Sequence, residues 1–350
     1  MASQFTRGSV LAAPPLPEGR LLSGFGVCTG GRCPPLRASC VQGDIVLRIP
    51  ADQADTVRSM RLRLCGTRGS TPAPGVDFAR YGGQTSCVAV MSDDGECRLI
   101  LDAGTGLRRL PAALDGRPFS GSILLTHLHW DHTHGLPFCP SVDNPDAHTT
   151  LYIPEQPGGD AEEILARAMS PPHFPIRPRE MRGAWGFEHL APGEHRIEGF
   201  DVLALEIPHK GGRTFVYRVS DGHAAVAYMP DHAPTALGPG PEQFGPYHEA
   251  AVRLSQGVDL LLHDSQYTRE EFPARAHFGH SSIDYAVGLA EHAVAKQLVL
   301  FHHDPWRSDA QLDSIVTHWS GASLPVTAAI EWDVLEVGSA ATDDSRVRRG

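Results

Sequence analysis

The sequence predicts a mixed α/β protein in which a β-sandwich carries a chemical site along one edge. Three observations lead there. Short apolar runs of strand length recur, among them residues 123–125, 258–262 and 298–301. Several are followed at once by histidine or aspartate, as with His263 and Asp264 after 258–262, and His302, His303 and Asp304 after 298–301. Residues 126–132, THLHWDH, set four such groups, His127, His129, Asp131 and His132, directly after the first run.

Imidazole and carboxylate together suit zinc, manganese or iron better than calcium. On extended backbone His127 and His129 alternate and can point the same way. Asp131 and His132 lie where the chain turns, since Gly135 and Pro137 soon break any regular element. One metal could not readily use all four and still bind a substrate. Two adjacent metals could, given a further histidine for each and a bridging carboxylate. His209, Asp231 and His302, each just past a strand candidate, would supply them.

Taken in order, residues 1–59 are rich in Gly, Pro, Ser and Arg without a sustained period and are expected to be disordered, with Met60 the expected native start. Residues 61–65, RLRLC, alternate as a strand does. The stretch 66–75, GTRGSTPAPG, specifies tight turns. It is either a plain connection or a loop near the site, with Arg68 and Ser70 able to meet an anion. Residues 86–91 and 98–101 read as a hairpin that turns at 92–96. Asp102 closes its second strand, either as a turn residue or as an acceptor orienting a ligand histidine. Past the metal loop, 150–153, 201–207, 214–219 and 224–228 are strand candidates. Residues 161–169 read as a helix that the proline-rich 170–178 cannot continue. Residues 281–296 form a second helix, with one apolar face and a capping box at Ser281 and Asp284. A last helix spans 308–319. A single domain over 60–338 results, followed by a tail at 339–350 expected to fray.

With 350 residues, 41% of them hydrophobic, a sizeable core is available. The net charge of −11 argues against broad nucleic-acid binding, which relies on a basic surface. It leaves room for a small anionic substrate held by metals. No apolar run approaches the roughly 18 residues of a membrane helix, so no membrane association is expected, and the amino terminus lacks a signal-peptide pattern. Seven cysteines scatter without a disulfide-like framework, and Cys28, Cys33 and Cys40 match no common zinc spacing. A reducing, cytoplasmic setting is the expectation.

HLHWDH resembles the HxHxDH signature of the metallo-β-lactamase superfamily. The order GTRGSTPAPG, RYGGQTSC, LDAGTG, LTHLHWDHTHGLPF, LLHDSQYT, GHSS and LVLFHHDP, which runs through most of 60–336, is similar to the branch of ribonuclease Z-like and phosphoribosyl cyclic phosphodiesterase-like hydrolases. That resemblance implies a four-layer αββα sandwich and two divalent ions, zinc or manganese. It implies His127, His129 and His209 on one ion, Asp131, His132 and His302 on the other, and Asp231 between them, with Asp131 also counted among the catalytic residues. His302 rather than His303 is implied because it directly follows the apolar strand. The branch pairs a glutamate with the histidine of a GHS motif for proton transfer. Here His280 stands in GHSS and Asp264 takes the acid position, a departure in reach.

The expected activity is hydrolysis of a small cyclic or nucleotide phosphodiester. The alternatives are a ribonuclease Z-like endonuclease, for which no lysine- or arginine-rich arm is found, a lactone or thioester hydrolase on the same ligands, and a non-catalytic metal-binding regulator. A homodimer stays open.

Overall fold

The computed structural model describes residues 60–92 and 94–338. The expectations for 1–59 and 339–350, including the three amino-terminal cysteines, lie outside the described residues.

Two seven-stranded sheets face each other. Chain order gives β1 (Met60–Gly66), β2 (Cys87–Met91), β3 (Cys97–Leu101), β4 (Ser120–Leu124), β5 (His148–Pro154) and β6 (Ala184–Leu190) to the first sheet. The second takes β7 (Gly193–Ile197), β8 (Phe200–Ile207), β9 (Thr214–Ser220), β10 (Ala225–Met229), β11 (Leu260–Asp264), β12 (Leu298–Phe301) and β13 (Val326–Ala328). β14 (Val334–Val337) returns to the edge of the first, beside β1. Strands run parallel from β3 to β6 and from β10 to β13, and antiparallel elsewhere.

β2, β10, β11 and β12 are buried along their whole length. A strand covered on both faces has no polar side to alternate with, so these read as continuous apolar runs. Leu62, Val90, Leu101, Phe215, Leu262 and Phe301 meet in the layer between the sheets. Helices close the outer faces. Ile164 and Leu165 of the helix Ala161–Ala166 pack with Ile123 and Leu151 of the first sheet. Ile283, Ala286 and Ala290 of the helix Ile283–His292 pack on Leu261, Leu298 and Leu300 of the second. This is the αββα sandwich. Among the described residues no helix is long and apolar enough to cross a membrane.

Four details differ from the sequence reading. The helix beginning near 281 is capped by Ser282, whose hydroxyl accepts from Tyr285 N at 3.1 Å, and it ends at His292. The Ser281 N–H is drawn instead to Asp264 Oδ2 at 3.1 Å, so the box with Asp284 does not form. The helix at 161 stops at Ala166, short of Met169. β11 runs through Asp264, so His263 and Asp264 are its last two residues rather than the ones beyond it. Parallel pairing with β12, which aligns Asp264 with Phe301, carries the strand that far.

The fourth concerns Arg68, which does not line the cleft and faces Asp309 Oδ1 at 3.8 Å. It is fully buried, its Nε donating to the Gly82 carbonyl at 2.7 Å and its Nη1 to the Arg307 and Asp304 carbonyls at 2.7 and 3.2 Å. Burial pushes its pKa down to about 10 against the opposing pull of Asp309 and Asp304. Arg68 therefore ties the loop after β1 to the loop after β12. Arg68→Ala would strand the Gly82 and Arg307 carbonyls, and unfolding in urea should show a loss on the order of 3 kcal/mol.

Candidate metal centre

The carboxyl ends of β3, β4, β8, β10, β11 and β12 lie along one edge of the sandwich, and the loops leaving them carry the chemistry. The loop after β4 brings His127, His129, Asp131 and His132, with Trp130–Thr133 forming one helical turn. His209 follows β8, Asp231 follows β10 and His302 follows β12. One ligand atom from each of His127, His129 and His209 falls in a group within 4.8 Å of one another, and so does one from each of Asp131, His132 and His302. Asp231 lies between the groups. Its Oδ2 is 2.9 Å from His132 Nε2 and 3.3 Å from His302 Nε2, while its Oδ1 is 3.5 Å from His209 Nε2. The structure thus brings all seven candidates together.

Each of four imidazoles is anchored through its outer nitrogen. His132 Nδ1 meets Asp102 Oδ2 at 2.8 Å, and His127 Nδ1 meets Thr126 Oγ1 at 3.1 Å. His209 Nδ1 meets the Gly279 carbonyl at 2.7 Å, and His302 Nδ1 meets Gln266 Oε1 at 3.0 Å. With Nδ1–H donated outward, Nε2 keeps a lone pair facing the cluster, the tautomer a metal ligand needs. His129 is turned the other way, with Nδ1 3.3 Å from His209 Nε2. Its Nε2 faces Gly211, where a Cβ would sit 2.6 Å away. Gly69 likewise clears His302, since a Cβ there would land 2.2 Å from its Nδ1.

Asp102 is the buried acceptor at the centre of this support. Besides His132 it accepts from Thr126 N at 2.7 Å, from Thr126 Oγ1 at 3.0 Å and from Tyr228 Oη at 2.9 Å. Ser70 is the half of the glycine-rich loop that reaches the site, its backbone N donating to Asp131 Oδ2 at 2.7 Å. Asp102, His302 and Ser70 all adopt positive φ, 59°, 58° and 62°. Such backbone is uncommon for residues other than glycine and clusters where side chains must be re-aimed. Gln266 and Thr126 were not assigned from sequence. HDSQ and LTHLH contain them, but only tertiary packing shows which histidine each one holds.

The donor set fits a cation. His127 Nε2, His132 Nε2 and Asp231 Oδ2 are buried without a hydrogen-bond partner. The close approach of the last two lacks hydrogen-bond geometry. Unpaired buried polar atoms are costly unless something fills the space between them. Burial alone would raise the Asp231 pKa, yet the surrounding imidazoles, His302 and His132 foremost, hold it well below the usual carboxylate range.

His303 is turned away, its Nε2 on the Ala329 carbonyl at 2.9 Å. His263 is likewise spent outside the cluster. Its Nδ1 meets the Asp264 carbonyl and its Nε2 meets His232, which in turn meets His248. His280 sits at the cluster's rim, Nδ1 3.2 Å from Asp264 Oδ2 and 3.5 Å from Asp231 Oδ1. The shorter acid reaches because β11 extends to Asp264. That carboxylate is held by His232 N and Ser281 N on Oδ2 and by Gln266 N on Oδ1. Burial pushes His280 down, but Asp264, then Asp231 and Asp131, outweigh it and raise the imidazole to about 9.

If Asp102 orients His132, Asp102→Asn should weaken metal affinity by about 10–100-fold in chelator competition while the fold persists. Unchanged affinity would make it a turn residue only.

The chain is similar to curated relatives over much of its length. It is 26% identical over 281 residues to ribonuclease Z of Lactiplantibacillus plantarum, covering 69% of this chain and 87% of that protein. It is 24% identical to ribonuclease Z of Haloferax volcanii, covering 70% and 84%. Among solved structures, a diphosphatase of the PhnP family superposes with a TM-score of 0.58 at 18% identity, covering 79% of this chain and 97% of that one. The short form of human tRNase Z does so with 0.54 at 21%, covering 79% and 98%. At those identities the superpositions speak for the fold. Residues 97–303 match the model of the β-lactamase superfamily domain, more than half of the chain, and the protein belongs to that superfamily.

Proposed function

We propose that the protein is a hydrolase with a dinuclear metal centre that cleaves a small phosphodiester. The observation that carries this reading is the His280–Asp264 pair at the rim of an intact ligand set. His127, His129 and His209 would hold one ion, Asp131, His132 and His302 the other, and Asp231 would touch both. Imidazole with carboxylate suits zinc or manganese. Bound there, two divalent ions polarise a phosphoryl oxygen and lower the pKa of a water.

The chain's own residues do the rest. Asp264 orients His280 and favours its protonated form. His280 Nδ1 is engaged by Asp264, which leaves Nε2 to give a proton to the leaving alkoxide. Ser70 N holds Asp131 through Oδ2. The four described cysteines, Cys65, Cys87, Cys97 and Cys139, are free and buried, in keeping with a reducing, cytoplasmic setting.

The relatives named ribonuclease Z support RNA cleavage as the second reading. Against it, among the described residues Arg275 is the one arginine or lysine lining the cleft above the cluster, and it is paired with Asp304 at 2.8 Å. A large polyanion needs more cations than that. A thioester, whose thiolate leaves without a proton, would not need His280 as an acid. A panel of diester, lactone, thioester and unprocessed transfer-RNA substrates, run with zinc and with manganese, separates the readings. Turnover confined to lactones or thioesters would end the phosphodiester proposal.

Plasma mass spectrometry of the purified protein should find close to two metals per chain. Asp231→Ala should lose both along with activity, and full activity in that variant would end the dinuclear reading. His280→Ala should retain both metals and lose about 10²–10⁴-fold in turnover on a diester with a poor alkoxide leaving group. The loss should shrink on a nitrophenyl diester, which needs little protonation. An equal loss on both substrates would count against a proton-donor role. Loss of metal would make His280 a ligand, as its nearness to Asp231 and His302 allows.

A further inference from the structure

The cleft over the cluster has a volume of about 760 Å³, the size of a nucleotide-scale ligand site. Its rim exposes three aromatic side chains from three separate loops. Trp130 in HLHWDH is 67% exposed, Phe278 before GHSS is 57% exposed and Trp306 after β12 is 80% exposed. Among the described residues, the other three tryptophans, Trp185, Trp319 and Trp332, are all partly buried. Single exposed apolar residues are ordinary, but both exposed indoles of the described chain on one cleft form a patch.

The backbone beneath these rings is fixed. Trp130 begins the turn that carries Asp131 and His132 into the cluster, and its ring stacks on His134 at 5.7 Å. Trp306 N donates to Asp304 Oδ1 at 2.8 Å. The next residue, Arg307, is held by Glu271 and the Gln266 carbonyl, while Arg68 clamps the carbonyls of Asp304 and Arg307. A flat apolar ring offered to water on a clamped loop gains most by covering another flat ring. Among the described residues Arg275 is the one arginine or lysine lining the cleft, and it is already matched by Asp304. Recognition beside the centre is therefore of a planar, uncharged group attached to a single anion.

We infer that Trp130 and Trp306 form a base-stacking subsite, with Phe278 beside them, and that the substrate is a phosphodiester of a nucleoside. This rests on the phosphodiester reading above and names its substrate class. Stacking of one base on an aromatic side chain is worth roughly 5- to 150-fold in affinity.

The test uses the full-length, metal-loaded protein and titration calorimetry with adenosine 5′-monophosphate and ribose 5-phosphate. The wild type should bind the nucleotide at least about 5-fold more tightly than the base-free sugar phosphate. Trp130→Ala and Trp306→Ala should each bring that ratio toward one, and Trp306→Phe should keep most of it. Melting curves confirm that each variant is folded. Equal affinities in the wild type, or a ratio that survives both alanine variants, would overturn the subsite and leave the patch to some other partner. Turnover of bis(4-nitrophenyl) phosphate is followed in parallel. Turnover without a nucleotide preference defeats the subsite alone. A nucleotide preference without diester turnover defeats the phosphodiesterase reading and leaves the subsite standing.

Discussion

A carboxylate stripped of water among imidazoles is the constraint on which the site depends. Asp231 is 1% exposed, and its Oδ2 has no hydrogen-bond donor. An isolated charge in such a place would shift its pKa until it neutralised. Here the partners that could donate a proton are largely committed elsewhere, because the outer nitrogens of His127, His132, His209 and His302 are taken by Thr126, Asp102, Gly279 and Gln266. What points inward is a shell of lone pairs around an anion. That arrangement is stable only with positive charge at its centre, which the imidazoles supply if protonated and a divalent ion supplies better.

Building that shell demands backbone the strands would not otherwise adopt. Asp102 and His302 each sit directly past a buried strand and each turn through positive φ. Each such residue costs on the order of 1–3 kcal/mol. The sandwich offsets it, since β3 and β12 are pinned on both sides by neighbouring strands and buried against helices and the opposite sheet. Stability held in the sheets fixes the loops that leave them.

The parts of this design that were legible in the sequence are those governed by local pattern. Strands buried on both faces announce themselves as apolar runs, so β10, β11 and β12 and the ligands at their ends could be placed within a residue or two. The loop after β4 concentrates its ligands in one motif. β6 and β7 were not legible, because they lie at sheet edges and read AWGFEHL and GEHRI, with too few buried positions to set a period. The role of Arg68 was left open for a related reason. An arginine in a glycine-rich loop looks solvent-facing until the loop after β12 closes over it. The choice of Ser282 over Ser281 as the helix cap likewise rests on a long-range contact, the pull of Asp264 on Ser281 N. Local spacing fixes what can ligate, while tertiary contacts fix which nitrogen does.

Charge placement also governs access to the cluster. Lysines are confined to Lys210 and Lys296. Lys296 is paired with Asp259, and the Lys210 ammonium is turned to the His277 carbonyl. Several arginines are similarly matched: Arg213 with Glu155 and Glu206, Arg269 with Glu242 and Asp284, Arg275 with Asp304, and Arg307 with Glu271. These paired cations of the described residues, on a chain of net charge −11, offer a long polyanion few counterions to release. Attraction for an anion is then concentrated at the cluster. On the phosphodiester reading proposed above, a small ligand bearing one phosphate can take all of it.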